Sequence, residues 1–342
     1  MVFKWIFILS TLLMITACSS NKLSNDLSDN PSSLPHSQVA ASLQPHIPQM
    51  NNAFNAIATP PSLRHCANAE IQQLLNQRIA KLHLTKAVND GHLALALVDI
   101  TDPTKPSMAQ VNGDEMMYAA SLPKIAILLT AFELIQQGKL PLNQEMRDTM
   151  TRMIRYSSNK DASTMISLVG KDYINTVLEL PKYRLYDPKQ HGGLWVGKMY
   201  GHSKAFHRDP LHHLSHGATA IQVARFYYMM QTGQLVSPKY SAEMKKIMAN
   251  SGINHKFVKG LQAMHNPDIQ VYRKSGSWRN FHADSALVEH HGRRYIAVAL
   301  SDNRHAGVWM TQLIQAMDDI VMAEPHVNFA TAHAALSPTT GG

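Results

Sequence analysis

Apolar side chains follow two kinds of pattern along this chain, and the order of the patterned segments predicts its fold. Apolar residues three and four positions apart indicate helices, and short apolar runs between turn residues indicate strands. The predicted helices run from Ala67 to Leu82, Leu122 to Ile135, Met146 to Arg155, Asp161 to Val169, Tyr173 to Leu178, Thr219 to Gln231, Ser237 to Ala249 and Val308 to Met322. The predicted strands run from Leu93 to Ile100, Ala109 to Asn112, Ile269 to Ser277, His282 to Glu289 and Arg294 to Ser301.

This order of elements predicts a two-lobed α/β protein. The last three strands follow one another as an antiparallel meander, with a turn at His291-Gly292. The early and late strands must then share one antiparallel sheet flanked by N- and C-terminal helices, and the helices between them form an inserted all-α lobe. Between Pro181 and Gly217 neither the helical nor the strand pattern is visible, which predicts a long irregular loop that is either functional or disordered.

The two ends of the chain differ in composition from its middle. Residues 1–17 combine Lys4 with an apolar run, which predicts a lipoprotein signal peptide; the run is too short for the alternative, a membrane-spanning anchor. Residues 18–61 are rich in Ser, Asn, Gln and Pro and predict a flexible tether. Residues 62–323 then form the folded domain, and residues 324–342 form a disordered tail.

The tetrapeptide Ile15-Thr16-Ala17-Cys18 resembles a bacterial lipobox. This resemblance implies that Cys18 becomes the lipidated first residue of the mature protein, and Ser19 gives no cue for retention in the inner membrane. We therefore expect a periplasmic protein with a lipid anchor in the outer membrane. Cys66 is left without an intramolecular partner, and we favour a partly buried structural role for it over a reactive thiol.

The net charge of +8 suits contact with anionic lipid or cell-wall polymer. The sequence has no dense run of Lys and Arg and no RNA-binding signature, so no nucleic-acid partner is expected. We also expect a monomer.

The candidate nucleophile is Ser121, in the motif Ser121-Leu122-Pro123-Lys124 at the start of a strongly apolar helix. In the first helical turn, residues three apart lie on one face, so the Lys124 amine can reach the Ser121 hydroxyl. The helix dipole favours a negative serine oxygen by only about 0.3 to 1 kcal/mol, so a neighbouring base is needed. Lys124 must therefore be neutral near pH 7, which burial and a nearby charge such as Lys274 would promote.

Two further motifs complete the candidate site, Ser157-Ser158-Asn159 and Lys274-Ser275-Gly276. The second suits the edge of a strand, because Gly276 lets a substrate approach the backbone. Each motif alone is weak evidence for an active site, and the interpretation depends on the order of all three. A literal Ser-Asp-Asn at 301–303 is set aside because it follows the Lys-Ser-Gly strand, where such residues make turns.

Together the three motifs resemble those of the class A β-lactamase and penicillin-binding serine peptidase superfamily, over roughly residues 67 to 322. The resemblance implies catalysis by Ser121 as the acylated nucleophile, Lys124 as its base and Ser157 as a hydroxyl relay. The implied substrate-binding residues are Asn159, Lys274, Ser275 and Gly276. The implied oxyanion hole consists of the main-chain donors of Ser121 and Ser277.

The sequence departs from this family in two respects. Ser158 replaces the usual aspartate, whose part is chiefly structural, and the Glu-x-x-Leu-Asn motif that activates the deacylating water in class A enzymes is missing. The nearest titratable residues are Glu179, Asp187 and His191, and none matches convincingly. Without such a base, an acyl-enzyme should persist.

A histidine-rich segment offers a different kind of site. His202, His207, His212, His213 and His216 include three residues within about one turn that could face one ion. No cysteine or metalloprotease motif accompanies them, so we favour a solvated loop and expect neither a metal nor another cofactor.

The sequence thus predicts a serine hydrolase that forms an acyl-enzyme with β-lactams or peptidoglycan-like amides. Two alternatives stay open. The same residues could serve a wall-modifying DD-peptidase or an esterase, or the protein could be a non-catalytic envelope lipoprotein.

Overall fold

A computed structural model describes residues 61–323 of the chain. The strands are β1 (Leu93–Asp99), β2 (Ser107–Val111), β3 (Met117–Tyr118), β4 (Tyr186–Asp187), β5 (Gly192–Gly193), β6 (Trp195–Val196), β7 (His216–Ala218), β8 (Gln270–Trp278), β9 (Phe281–His290) and β10 (Arg293–Ser301). The α-helices are α1 (Ala69–Lys81), α2 (Thr85–Asn89), α3 (Lys124–Gln136), α4 (Gln144–Arg155), α5 (Asn159–Val169), α6 (Lys171–Glu179), α7 (Ala220–Gln231), α8 (Pro238–Met248), α9 (Phe257–Gln262) and α10 (Ala306–Ala323).

A five-stranded antiparallel sheet joins the early and late parts of the chain in the order β2-β1-β10-β9-β8. The pairing of β1 with β10 sets Leu93 opposite Ser301. At the β9–β10 turn His291 and Gly292 have φ values of 46° and 77°, which match the twist of a two-residue hairpin. The predicted shared sheet, meander and inserted helical lobe are therefore confirmed, and β8 lies at one edge of the sheet.

Apolar residues fill both faces of the sheet. Helices α1, α9 and α10 cover one face, where Leu75, Phe257 and Met317 belong to one buried cluster. The helical lobe covers the other face and packs around α3, whose residues 124–135 are all buried. Because α3 is enclosed on every side, its start is held rigidly where the sheet meets the helical lobe.

The segment between Pro181 and Gly217 is more ordered than the sequence predicts. It contains β4, β5, β6 and the start of β7, and its side chains Tyr183 and Trp195 are buried in the core. The strands are only two or three residues long, too short to show an alternating pattern. The prediction of an irregular loop was therefore wrong for much of this segment, and β3, α2 and α9 were also missed.

The signal peptide, Cys18, the tether and the tail lie outside the described residues. Within residues 61–323, no helix has both the length and the apolar character needed to cross a bilayer.

Candidate active site

Ser121 lies in the turn between β3 and α3, half-buried at the wall of a pocket of about 420 Å³. The turn is tight: Lys124 N donates to Ser121 O at 3.3 Å, and regular helix begins only at Lys124. Ala120 has a φ of 50°, a left-handed conformation that is unfavourable for a residue with a Cβ. Strain of this kind often accompanies functional sites, where the surrounding structure holds it in place.

The Lys124 side chain is fully buried and points to the Ser157-Ser158-Asn159 motif. Its Nζ donates to Ser157 O at 2.6 Å and Asn159 Oδ1 at 2.9 Å, and lies 3.3 Å from Ser157 Oγ. A neutral amine has two N–H donors, and the two shorter bonds use both, which leaves its lone pair free to accept a proton. Within the described residues, the Ser121 hydroxyl itself makes no hydrogen bond.

Lys274 reaches the same serine from β8. Its Nζ donates to Ser157 Oγ at 3.0 Å and to Ser275 O at 2.6 Å. Two lysine amines from distant parts of the sequence thus converge on one hydroxyl. Ser157 has a left-handed φ of 55°, and the next residue, Ser158, caps α5 by accepting from Asp161 N at 3.2 Å. Ser158, which stands where the family usually has aspartate, thus makes a structural hydrogen bond.

Burial shifts the titration of both amines. Desolvation lowers the pKa of Lys124 to about 7, although the nearby carboxylate of Asp161 opposes the shift. Desolvation also lowers the pKa of Lys274 well below its usual value, and the charge of Lys124 adds to that effect. Lys124 can therefore be neutral near pH 7, as a base for Ser121 must be.

The Lys274-Ser275-Gly276 strand lies directly against the Ser121 turn. A methyl group added to Gly276 would lie 2.2 Å from Ala119 O and 2.8 Å from Ser121 N, so only glycine fits there. Ser275 is buried next to Gly276, and Ser277 lines the Ser121 pocket. The residues named for the substrate carboxylate and the oxyanion thus lie beside the candidate nucleophile, and their roles remain predictions.

A buried ion pair supports this edge strand from behind. Arg273 on β8 and Asp284 on β9 form two hydrogen bonds, both of 2.7 Å, and Asp284 also accepts from Phe257 N at 3.1 Å. Lys256 donates to Gly276 O at 2.6 Å and to Ser277 Oγ at 2.8 Å, and burial lowers its pKa to about 8. These contacts satisfy polar groups that would otherwise be buried without partners.

Sequence reasoning missed the part that Tyr200 and His216 play in the pocket. The Tyr200 ring lies 4.4 Å from Lys124 Nζ and stacks on His216 at 4.3 Å. Burial lowers the pKa of His216 to about 3, and its buried Nδ1 has no hydrogen-bond partner within the described residues. His216 is therefore neutral at physiological pH. No periodic pattern could identify Tyr200, because it follows an isolated bridge in a loop.

The pocket around Ser121 lacks a carboxylate. Its lining is Tyr118, Ala120, Ser121, Asn159, Lys198, Met199, Tyr200, Gly201, His202, His216, Ser277, Trp278 and Arg279. Of the three candidates for a deacylation base, Asp187 is paired with Arg184, and Glu179 and His191 are exposed away from this lining. Around Ser121, the described residues thus offer no counterpart of the class A glutamate.

The histidines of the 202–216 segment do not assemble into one cluster. His216 is buried against Tyr200, whereas His212 and His213 are exposed. Across residues 61–323, no three His, Cys, Asp or Glu side chains are grouped so that they could hold a metal ion. Cys66 is half-buried, and its Sγ lies 3.2 Å from Ser62 O. Burial raises the pKa of this thiol, which makes it less reactive.

Comparisons with known proteins agree with this arrangement. The model of the β-lactamase enzyme family matches residues 74–147 and 145–323. A comparison of the sequence with curated proteins finds no match.

Among solved structures, a β-lactamase from Sphaerobacter thermophilus is similar, with a TM-score of 0.58, 15% identity and coverage of 74% of this chain and 99% of that one. A β-lactamase from Chitinophaga pinensis has a TM-score of 0.56 at 15% identity, over 73% of this chain and 97% of that one. A mutant of PBP-A, solved as an acyl-enzyme complex with penicillin G, has a TM-score of 0.56 at 16% identity, over 76% of this chain and 98% of that one. The structural matches share the fold, and the family model spans most of the chain, so this protein belongs to the β-lactamase enzyme family of serine hydrolases.

Proposed function

We propose that this protein is a serine hydrolase that forms an acyl-enzyme at Ser121 with β-lactams. The observation that carries the proposal is the convergence of Lys124 and Lys274 on Ser157, beside Ser121. A surface helix cap would not bury two lysines next to a serine, because desolvating two like charges together is unfavourable unless their neutral forms are used.

The geometry supports a proton path for acylation. Neutral Lys124 accepts the Ser121 proton as Oγ attacks the substrate carbonyl, and the main-chain donors of Ser121 and Ser277 stabilise the oxyanion. The proton then passes through the Ser157 hydroxyl, which both amines contact, to the departing nitrogen. Lys274 steadies the Ser157 relay next to the substrate carboxylate, Ser275 donates a hydrogen bond to that carboxylate, and Asn159 orients the substrate amide.

Deacylation sets this protein apart from an efficient class A β-lactamase. Hydrolysis of the acyl-enzyme needs a base for water, and the lining of the pocket includes no Asp or Glu. Beside Ser157, the pKa of Lys124 lies near 7 and that of Lys274 is lowered well below its usual value, and neither group is a carboxylate. We therefore infer slow release of the acyl group, as expected also for the alternative function, a penicillin-binding DD-peptidase or esterase acting on cell-wall amides. A lipid anchor at Cys18 would place either activity in the periplasm, at the outer membrane.

The test is incubation of the purified protein with benzylpenicillin while its intact mass is followed over time. A mass increase equal to one penicillin, absent in Ser121→Ala and retained in Ser167→Ala, supports the acyl-enzyme. Ser167 is a matched control because it is exposed on α5, away from the pocket lining. An adduct that decays within seconds indicates a β-lactamase, and one that lasts for hours indicates a peptidase-like enzyme. The absence of an adduct that depends on Ser121 would overturn the proposal in favour of a non-catalytic lipoprotein or a narrower esterase.

A further inference from the structure

A second depression lies next to the Ser121 pocket. It has a volume of about 540 Å³ and shares the lining residues Tyr118, Lys198 and Trp278 with that pocket, so the two adjoin each other. We call it the basic groove, and beyond the shared residues it is lined chiefly by Lys204, Arg208 and Phe281. A substrate longer than a bicyclic β-lactam could extend from Ser121 into it.

The charges around this groove are of one sign. Lys198, Lys204, Arg208 and Arg279 surround the two pockets, and neither lining includes an Asp or Glu. Within the described residues none of these four forms a salt bridge, whereas Arg64, Arg147 and Arg152 on other surfaces each pair with a carboxylate. A surface that carries several positive charges and no paired carboxylate attracts anions.

Local contacts hold the two arginine side chains and the backbone of the loop that begins at Lys198. Arg208 Nη1 donates to His213 O at 2.9 Å, and the Arg279 guanidinium lies 4.3 Å from the centre of the Trp278 ring. Lys198 pairs with Ala205 through an isolated antiparallel bridge, which folds the intervening loop back on itself. The bridge closes the loop that carries Lys198 and Lys204, both of which line the depression.

Aromatic side chains form another part of the lining. Tyr118 contacts Trp278 and Phe281 edge-on, at ring-centre distances of 5.7 and 5.2 Å. Trp278 leaves 48% of its surface exposed, which is unusual for a large apolar side chain packed in a cluster. An exposed apolar surface beside a pocket is typical of a ligand-binding site.

We infer that the basic groove binds the distal part of an extended amide substrate, a part that carries a negative charge of its own and an apolar or ring group. The charge would meet Lys204 and Arg208, and the ring group would pack on Trp278. This inference rests on the proposed function and narrows its substrate class to anionic, elongated amides, the chemistry of a peptide with a free side-chain carboxylate.

Benzylpenicillin and its analogue carbenicillin test the groove, because they differ by a single carboxylate added next to the phenyl ring. The measurement is the second-order rate constant for acylation of each compound, in the unmodified protein and in Lys204→Glu/Arg208→Glu. We expect the preference for carbenicillin over benzylpenicillin to fall by about fivefold or more, since two exposed attractions become repulsions. Lys204→Glu alone, which removes no hydrogen bond, should produce a smaller fall in the same direction.

Lys239→Glu/Lys259→Glu is the matched control, because it makes the same change in net charge on two exposed lysines outside both pockets. An unchanged preference in the groove variants, or an equal fall in the control, would overturn the inference.

Failure of the proposed function gives a different result, the absence of any acylation at Ser121. The groove is then tested in Ser121→Ala by the change in tryptophan fluorescence when carbenicillin binds, with Trp278→Phe to assign the signal. Weaker binding of carbenicillin in the charge-reversed protein, with the control unaffected, supports the groove independently of catalysis. Equal binding in all variants overturns it.

Discussion

The Lys124 amine lies 4.4 Å from the centre of the Tyr200 ring, which shields this amine from water. Desolvation is the main cause of the lowered pKa of Lys124, about 7. The ring also attracts the protonated amine, but that effect is worth about 0.5 to 2 kcal/mol, whereas burial can shift a lysine pKa by several units. We therefore expect shielding by Tyr200 to outweigh its attraction for the charge and to favour the neutral form of Lys124.

Replacing Tyr200 should shift the pH dependence of acylation. In Tyr200→Ala, water reaches Lys124 and its pKa rises, so the base becomes protonated at neutral pH. We expect the midpoint of the rate profile to move upward by about one pH unit or more from its value near 7. The measurement is the acylation rate constant with a labelled penicillin between pH 5 and 10. Tyr200→Phe keeps the ring and loses only a 3.4 Å hydrogen bond to Ala120 O, so its midpoint should stay in place. Equal midpoints in all three proteins would show that Tyr200 does not control Lys124.

The buried lysines should make stability depend on pH. A lysine whose folded pKa lies below its unfolded value binds fewer protons in the folded state, so the free energy of unfolding rises with pH between the two values. For Lys124 this interval runs from about 7 to its ordinary value of 10.5, with a maximum slope of about 1.4 kcal/mol per pH unit. Urea denaturation at pH 7 and pH 9 should show a higher stability at pH 9.

Lys124→Met should reduce this rise, because the substitution removes one of the groups that titrate. The variant should also be more stable than the unmodified protein at pH 7, since a buried group that favours its neutral form is replaced by an apolar one of similar length. The same pH dependence in both proteins would contradict the assignment to Lys124.

Gly276→Ala should slow acylation by about 100-fold while leaving most of the fold intact. The added methyl group would lie 2.2 Å from Ala119 O, so β8 or the Ser121 turn must shift. A displacement of about 1 Å at a reacting centre can reduce the rate by about 100-fold. Gly307→Ala is the control, because its nearest neighbour would lie at 3.8 Å, an ordinary contact. Labelled-penicillin kinetics and circular dichroism distinguish the two effects, and normal acylation in Gly276→Ala would contradict the close approach.

Removing one partner of the Arg273–Asp284 pair should destabilise the domain strongly. Both side chains are almost fully buried, so Arg273→Met leaves the Asp284 charge without its main partner, at a cost of about 3 to 5 kcal/mol. Thermal and urea denaturation measure the change. The double variant Arg273→Met/Asp284→Leu should recover part of the loss because no unpaired charge remains, and a double variant less stable than Arg273→Met would contradict this explanation.

Much of the fold could be predicted because its main elements are long and strongly patterned. The uninterrupted apolar surface of α3 and the apolar runs of β9 and β10 match the structure, in which nearly all inner positions of these elements are buried. Elements of two or three residues, such as β3 and β6, carry too few side chains to show a period. Their stability comes from tertiary pairing, for example of Trp195 with Gly217, which local sequence does not encode.

The candidate site was also predictable only in part. Lys124 and Lys274 could be named from motifs, because acyl-transfer chemistry requires particular residue types at fixed spacing. Tyr200 could not be named from a motif, because its importance depends on a contact with Lys124, which lies 76 residues earlier in the chain. The Glu-x-x-Leu-Asn motif is missing from the sequence, and the described lining of the Ser121 pocket includes no Asp or Glu.

The hydrogen bonding of β1 to β10 has a consequence for how the protein is made. Leu93 pairs with Ser301, so a ribosome must synthesise more than 200 further residues before the central strand finds its neighbour. Contacts so distant in sequence slow folding, and a partly synthesised chain exposes unpaired strand edges. The central pairing of the sheet can therefore form only after nearly the whole folded domain has been synthesised.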